Sequence, residues 1–181
     1  SGLRYEDLVG AADIVVTKPG YGIIAECVAN DTAILYTSRG HFVEYDVLVR
    51  EMPRWLRTEF ISNEDLLGYL SPLDGFYHHT PFSEFVADSA REWNASNQAG
   101  RVAREFHVIL DEMNLARVEH YFSRFLSAME VRTREGIARL DLAPGHTVEL
   151  TPNLKFSGTV NIDETTHGFA DKVYDRAQIL E

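Results

Sequence analysis

The sequence has few of the features that would place it outside ordinary globular proteins. One cysteine, Cys27, stands among 181 residues, which excludes an intrachain disulfide framework and a zinc site built on several thiolates. The apolar runs are too short for a membrane helix, and the first six residues contain no apolar signal core. We therefore expect a cytoplasmic protein with no membrane partner.

Positive charge is also scarce in this chain. It has 17 Lys and Arg residues against 28 Asp and Glu residues, which gives a net charge of -11. Non-specific binding of nucleic acid needs clustered Lys and Arg residues, so we expect no direct contact with nucleic acid. A nucleotide is compatible with this charge as a partner, because backbone amides and a metal ion can hold its phosphates.

Short apolar runs alternate with helix-like runs, which predicts an α/β fold with a parallel sheet. The sequence changes character near Ser62, so we divide it into segments 1–62 and 63–181. In the first segment we predict helices over 5–12, 23–29 and 44–51, strands over 13–17 and 33–37, and a glycine-rich turn over 18–22. In the second we predict helices over 81–93, 118–130 and 169–177, a polar loop over 94–100, strands over 106–110 and 154–160, and a hairpin-like insertion over 131–153.

Two carboxylates follow the strongly apolar run 106–110. Asp111 and Glu112 would lie at the carboxyl end of a parallel strand, which is where α/β folds place their ligands. This pair suits metal-assisted phosphate chemistry, with Asp111 holding Mg²⁺ through water and Glu112 orienting and deprotonating an attacking water. The alternative is a strand that simply ends at solvent.

The sequence around these acids resembles a known family. Residues 106–130 resemble the Walker B segment of AAA+ NTPases, most closely the branch of McrB-type restriction NTPases. Residues 153–167 are similar to the sensor 1 strand of that family, with Asn161 at the matching polar position. Residues 171–177 resemble the segment that carries the arginine finger, with Arg176 as the matching residue, and residues 66–82 also resemble this branch.

This resemblance covers residues 63–181 and implies a partial AAA+ core, P-loop-NTPase-like, that acts on ATP or GTP with Mg²⁺ in a ring assembly. It implies that Asn161 contacts the attacking water or the γ-phosphate. It also implies that Arg176 reaches the nucleotide of a neighbouring subunit in a homo- or hetero-oligomer. The alternatives are a turn-forming role for Asn161 and an ion pair of Arg176 with Asp171 or Asp175.

The loop that AAA+ catalysis requires is missing from the sequence. No segment has the Walker A pattern Gly-x-x-x-x-Gly-Lys-Ser/Thr, and no helical lid follows Arg176. Without the lysine and amide cradle of that loop, the β- and γ-phosphates lose their main contacts. We therefore predict that the isolated chain is inactive as an NTPase.

The glycine turn of the first segment points to a second family. Residues 11–29, followed by 32–36, resemble the donor-binding C-terminal domain of GT-B glycosyltransferases of the MurG-like kind. The resemblance implies a partial Rossmann-like fold and a UDP-sugar ligand, with Gly20 and Gly22 in the turn whose helix amides face the diphosphate. It implies that Glu26 holds the ribose hydroxyls. The alternative is a tight strand-to-helix turn with a solvated Glu26.

Three hypotheses for function follow from the sequence. The first is an incomplete AAA+ NTPase-type module, the second a sugar-nucleotide-binding glycosyltransferase-like fragment, and the third a non-catalytic α/β interaction protein. The first predicts that the strands ending at Asp111 and Asn161 are adjacent and parallel. The second predicts that Gly20 to Gly22 form an exposed turn at the carboxyl end of strand 13–17, with Glu26 one helical turn further on.

Overall fold

A computed structural model gives the structure of the chain. It describes residues 4–37, 43–60, 66–115, 122–160, 168, 169, 171–174 and 177. The chain forms two compact units. Unit 1 comprises residues 1–63, 106–112 and 155–160, and unit 2 comprises residues 64–105, 113–154 and 161–181. Two short strands from the predicted second segment therefore belong to unit 1.

Unit 1 is an α/β unit, as the alternating pattern predicts. Its helices are α1 (Tyr5–Ala11), α2 (Tyr21–Asn30) and α3 (Tyr45–Glu51), and a short 3-10 helix (Met52–Arg54) follows α3. Its strands are β1 (Ile14–Thr17), β2 (Ala33–Tyr36), β3 (Thr58–Phe60), β6 (Phe106–Leu110) and β9 (Leu154–Gly158).

The five strands of unit 1 form one parallel sheet in the order β3-β2-β1-β6-β9. The chain runs outward from β1 through β2 to β3, then returns to the other side of β1 as β6. The strand order thus reverses between β1 and β6, as it does in doubly wound nucleotide-binding folds. The architecture is consistent with a Rossmann-like or a P-loop-like fold, and β6 and β9 are neighbours, as predicted.

Alternate residues of the central strands build the core on the helical side of the sheet. Val15, Ile34 and Ile109 project from β1, β2 and β6 into a cluster with Val9 of α1 and Cys27 of α2. Residues of the opposite parity on these strands, including Leu35, Val108 and Leu110, are buried as well. Burial on both faces is typical of parallel sheets, and it explains the continuous apolar runs of β1 and β6.

Unit 2 combines two long helices with two antiparallel hairpins. Its elements are β4 (Gly68–Leu70), β5 (Tyr77–His79), α4 (Pro81–Ala99), a 3-10 helix (Met113–Leu115), α5 (Ser123–Glu135), β7 (Ala138–Ala143), β8 (His146–Leu150) and α6 (Asp171–Tyr174). β4 pairs with β5 and β7 pairs with β8. Helix α4 packs on β8 and α5 packs on β7. In the core of unit 2, Phe125 stacks on Phe122 with ring centroids 4.7 Å apart and meets Phe82 edge to face at 5.5 Å.

Two sequence predictions for unit 2 are wrong in their boundaries. The polar stretch 94–100 is not a loop, because α4 continues to Ala99 and ends only at Gly100, which has a φ of 65°. The predicted insertion 131–153 is a hairpin only from Ala138, since α5 continues to Glu135 and stops at Gly136, which has a φ of 83°. In both places a glycine that can adopt the left-handed conformation ends the helix, rather than the change to polar residues.

Among the described residues, no helix has the length and apolar character that crossing a membrane requires.

Candidate functional site

At the carboxyl edge of the unit 1 sheet, each strand ends at or is followed by a residue with a polar or aromatic side chain. We call this set the carboxyl-edge row; in the order of the strands it consists of Phe60, Tyr36, Thr17, Asp111 and Thr159. Thr17, Tyr36 and Phe60 are register partners at the ends of β1, β2 and β3. Asp111 and Thr159 follow the last residues of β6 and β9, and the amide of Thr159 donates to the carbonyl of Leu110 at 3.0 Å. The row lies where α/β folds bind ligands.

Asp111 is the centre of the polar part of this row. Its Oδ2 accepts a hydrogen bond from Thr17 Oγ1 at 2.7 Å. Its Oδ1 accepts from Thr159 Oγ1 at 2.8 Å and from Tyr5 Oη at 3.1 Å. One carboxylate therefore holds together the ends of β1, β6 and β9 and the first residue of α1. Burial, together with the charge of Asp111, raises the pKa of Tyr5, so this phenol stays a hydrogen-bond donor.

Glu112 occupies a strained position directly after Asp111. Its φ of 48° lies in the left-handed region, which residues other than glycine rarely adopt. Its amide donates to Thr159 Oγ1 at 2.8 Å, which holds this turn in place. Strained residues of this kind persist only where the surroundings impose them, and they cluster at functional sites. The predicted base therefore lies on a fixed turn at the carboxyl edge.

The predicted glycine turn lies at the same edge. β1 ends at Thr17 and α2 begins at Tyr21, with Gly20 as its N-cap residue. The first amides of an α-helix lack intrahelical acceptors, and Gly20 has no side chain to cap them. No acidic residue stands in the first turn of α2. Among the described residues, a Cβ added at the exposed Gly22 would meet no packed neighbour within 4 Å, so there is space beside the first turn of α2.

Glu26 lies further along α2, at its second turn, and is partly buried. Within the described part of the chain its carboxylate has neither a hydrogen-bond nor an ion-pair partner. Cys27 beside it is fully buried, and burial followed by the charges of Asp111 and Glu26 raises the pKa of its thiol to about 12. The turn predicted over 18–22 is therefore shorter than expected, because Gly22 already lies in the first turn of α2 and only Gly20 precedes the helix. The ligand contacts assigned to Gly20, Gly22 and Glu26 stay predictions.

Known relatives could decide between the two resemblances. Comparisons with protein-family models, curated proteins and solved structures found no match. The AAA+ and GT-B assignments therefore stay predictions, and the function is inferred from the geometry of unit 1.

Two of the predicted site residues cannot be placed. Asn161 and Arg176 lie outside the described residues. Asp111, Glu112, Gly20, Gly22 and Glu26 all belong to unit 1. In the described ranges, no three His, Cys, Asp or Glu side chains converge as a metal site.

Three polar residues of the site were missed by sequence reasoning. Thr17 ends an apolar strand, which is the same signal that identified Asp111 and could have found it. Thr159 follows β9, a strand of mixed polarity, and was predicted to lie inside it, so no such signal marks this residue. Tyr5 carries no such signal, because it reaches Asp111 only through the packing of α1 against β6.

Proposed function

We propose that unit 1 binds a nucleotide through its phosphates at the carboxyl edge, between β1 and β6. The observation that carries this proposal is the start of α2, which has no side-chain cap among the described residues. This ten-residue helix follows β1 at the point where the strand order reverses. Free amides and the positive end of the helix dipole favour a phosphate at this position. The open space at Gly22 allows the ligand to approach the backbone closely.

The chemistry along α2 favours a sugar nucleotide of the kind that GT-B donor sites bind. Glu26 follows the phosphate-facing turn on the same helix and has an available carboxylate among the described contacts. Two carboxylate oxygens can accept hydrogen bonds from both hydroxyls of a ribose. The turn itself is anchored to the sheet, because Thr17 Oγ1 lies 3.1 Å from the carbonyl of Lys18 and 2.7 Å from Asp111 Oδ2.

The residues beside the turn fit a magnesium ion. Mg²⁺ prefers oxygen ligands and keeps several of its waters. The hydroxyls of Thr17 and Thr159 lie 2.7 and 2.8 Å from the two carboxylate oxygens of Asp111, so the three side chains offer only oxygen ligands. Asp111 would hold the ion directly or through water. When bound, Mg²⁺ would neutralise phosphate charge and so offset the repulsion between the phosphates and the carboxylates of Asp111 and Glu112.

The decisive experiment uses Gly22→Ala. The added methyl group has free space, and alanine favours a helix over glycine, so we expect the free energy of unfolding to stay unchanged or rise by up to about 1 kcal/mol. The same methyl group should obstruct phosphate at the helix start and weaken binding of UDP-glucose or UDP by at least tenfold in titration calorimetry. Val28→Ala, at the exposed far end of α2, is the matched control. Equal affinity of Gly22→Ala and wild type would contradict the proposal.

A second candidate is an AAA+ NTPase-type module that acts on a neighbouring subunit. The adjacency of β6 and β9 supports it, because sensor 1 is expected beside the Walker B strand. The absence of a Walker A pattern in the sequence counts against turnover by the chain alone. The test mixes the chain with a complete AAA+ NTPase whose own finger arginine is mutated, and measures hydrolysis of ATP and GTP with Mg²⁺. Rescue that disappears in Arg176→Ala would support action in trans.

Thermal denaturation separates the two candidates from a non-catalytic interaction protein. A ligand that binds only the folded chain raises the melting temperature. Stabilisation by a UDP-sugar favours the first candidate, and stabilisation by ATP or GTP with Mg²⁺ favours the second. If neither nucleotide shifts the transition, an α/β interaction protein is the better description. Robust hydrolysis by the isolated chain that is lost in Glu112→Gln would show that a phosphate-binding loop has been overlooked.

A further inference from the structure

The carboxyl-edge row changes from polar to aromatic on the far side of β1. Tyr36 ends β2 and Phe60 ends β3, and the two are register partners. Their ring centroids lie 5.7 Å apart, and the ring planes meet at 68° in an edge-to-face arrangement. Tyr36 is buried, whereas Phe60 is 50% exposed. The edge strand therefore ends in an aromatic ring that faces solvent on one side and is supported by a buried tyrosine on the other.

The separation between Phe60 and the start of α2 is comparable to the length of a nucleoside diphosphate. Thr17 is the register partner of Tyr36, and Tyr36 is the register partner of Phe60. Neighbouring strands lie about 4.8 Å apart, so Phe60 lies about 10 Å along the edge from Thr17 and the turn that opens α2. This separation is comparable to that between the base and the phosphates of a nucleoside diphosphate.

We propose that Phe60, supported by Tyr36, stacks on the base of a nucleoside diphosphate whose phosphates lie at the start of α2. This inference rests on the proposed function and adds the site of the base to it. Aromatic side chains stack on any base, since every base has a π-face. The aromatic part of the row would therefore recognise that a base is present without selecting which one.

Packing alone is the competing explanation for the aromatic pair. Phe60 could serve only to cover Tyr36 at the end of the edge strand. The same unit offers a control for this explanation in Trp55, which is 71% exposed and precedes β3, on the amino side of that strand. Both residues present large exposed rings, but only Phe60 shares an edge with the start of α2.

The test compares a ligand that has a base with one that lacks it. Binding of UDP, ADP and inorganic pyrophosphate, each with Mg²⁺, is measured by titration calorimetry for wild type, Phe60→Ala and Trp55→Ala. Loss of one stacking interaction should weaken UDP and ADP about tenfold in Phe60→Ala. Pyrophosphate should bind Phe60→Ala and wild type equally, and Trp55→Ala should bind all three ligands like wild type.

Each other outcome has a definite meaning. Equal UDP affinity in Phe60→Ala and wild type would overturn the stacking proposal but leave the phosphate site intact. Failure of wild type to bind either UDP or pyrophosphate would overturn the proposed function itself. If Phe60→Ala does not fold, Phe60→Trp should retain UDP binding, and wild-type saturation-transfer NMR should show the base protons closest to the protein. Weaker saturation of the base than of the ribose would contradict the proposal.

Discussion

At the scale of single residues, Asp111 combines a structural and a chemical role. Three hydroxyl groups from separate segments donate to its two oxygens. A carboxylate offers about four acceptor positions, so three donors leave about one for water or a cation. The residue predicted from sequence as a magnesium ligand is therefore also the group that joins α1, β1 and β9 to β6.

Substitution of Asp111 should separate its acceptor role from its charge. Asp111→Ala removes the acceptor of Tyr5 and Thr159 and leaves Thr17 only the carbonyl of Lys18, so we expect the free energy of unfolding to fall by about 2–4 kcal/mol. Asp111→Asn keeps the shape and one acceptor oxygen, so the loss should be about 1 kcal/mol. Urea denaturation of both variants measures the difference. Equal stability of the two variants would show that the hydroxyl donors do not depend on Asp111.

Cys27 offers a reporter for the folding of unit 1. Its thiol is fully buried, and burial raises its pKa from 9.0 to about 12. We therefore expect almost no reaction with a thiol-specific disulfide reagent at pH 8, and one rapid equivalent after unfolding in urea, because the thiolate is the reactive form. Prompt labelling of the native chain would contradict the burial of this residue.

The same group predicts a dependence of stability on alkaline pH. The folded pKa lies above the unfolded one, so the contribution of the protonated thiol is complete below pH 9 and is lost as the pH rises towards 12. Wild type should therefore lose more stability over this range than Cys27→Ala does. Urea denaturation at each pH measures the free energy of unfolding of both proteins. If both lose the same amount of stability, other groups cause the effect.

At the scale of elements, α4 shows how side chains extend a helix through a polar sequence. Glu92 accepts hydrogen bonds from both terminal nitrogens of Arg101, at 2.7 and 3.1 Å. It also accepts from Ser96 Oγ at 2.9 Å and from the amide of Arg104 at 3.1 Å. These contacts join the last turns of α4 to the chain that follows Gly100. They stabilise the helical conformation of residues that were predicted to be a loop.

The Glu92 contacts predict a dependence of unit 2 stability on acidic pH. The hydrogen bonds from Arg101, followed by that from Arg104, lower the pKa of Glu92 from 4.5 to about 2. The folded pKa is the lower one, so this stabilisation is complete above pH 4.5 and is lost as the pH falls to about 2. Glu92→Gln should therefore be less stable than wild type at pH 7 and equally stable near pH 2. Glu135→Gln, at the exposed end of α5, is the control, and a constant difference between Glu92→Gln and wild type would contradict the assignment.

The elements also show what could be predicted from the sequence. Four of the five strands of unit 1 were found within one or two residues. The edge strand β3 (Thr58–Phe60) was missed, because Thr-Glu-Phe is too short and too polar to read as an apolar run. Helix ends were missed at Ala99 and Glu135, where long-range contacts or a downstream glycine, rather than local polarity, set the boundary. Of the site, Asp111, Glu112 and the turn at Gly20 could be predicted from strand ends. The contact with Tyr5 could not, since 106 residues separate it from Asp111.

At the scale of the whole molecule, unit 1 is assembled from three separate stretches of chain. Residues 1–63 supply β1, β2 and β3, whereas β6 and β9 come from residues 106–112 and 155–160. β1 is the central strand and needs β6 along one side. The polar part of the carboxyl-edge row likewise needs all three stretches, because Thr17, Asp111 and Thr159 come from different ones.

A fragment of residues 1–63 should therefore not fold by itself. It lacks the partner of β1 on one side and leaves Val15 and Cys27 without the cover that Ile109 provides. We expect narrow amide dispersion in its NMR spectrum and rapid labelling of Cys27, in contrast to the full chain. A dispersed spectrum with a protected thiol would show that β6 and β9 are dispensable for the first three strands.

The discontinuous sheet has a consequence for synthesis of the chain on the ribosome. Phe106, the first residue of β6, is translated 89 positions after Thr17, the last residue of β1. At 5–20 residues per second, β1 waits roughly 4 to 18 s for its neighbour. During that interval its apolar edge is unpaired and can associate with other nascent chains. Slower elongation between these strands should therefore increase aggregation, and a chaperone that holds extended apolar segments should reduce it.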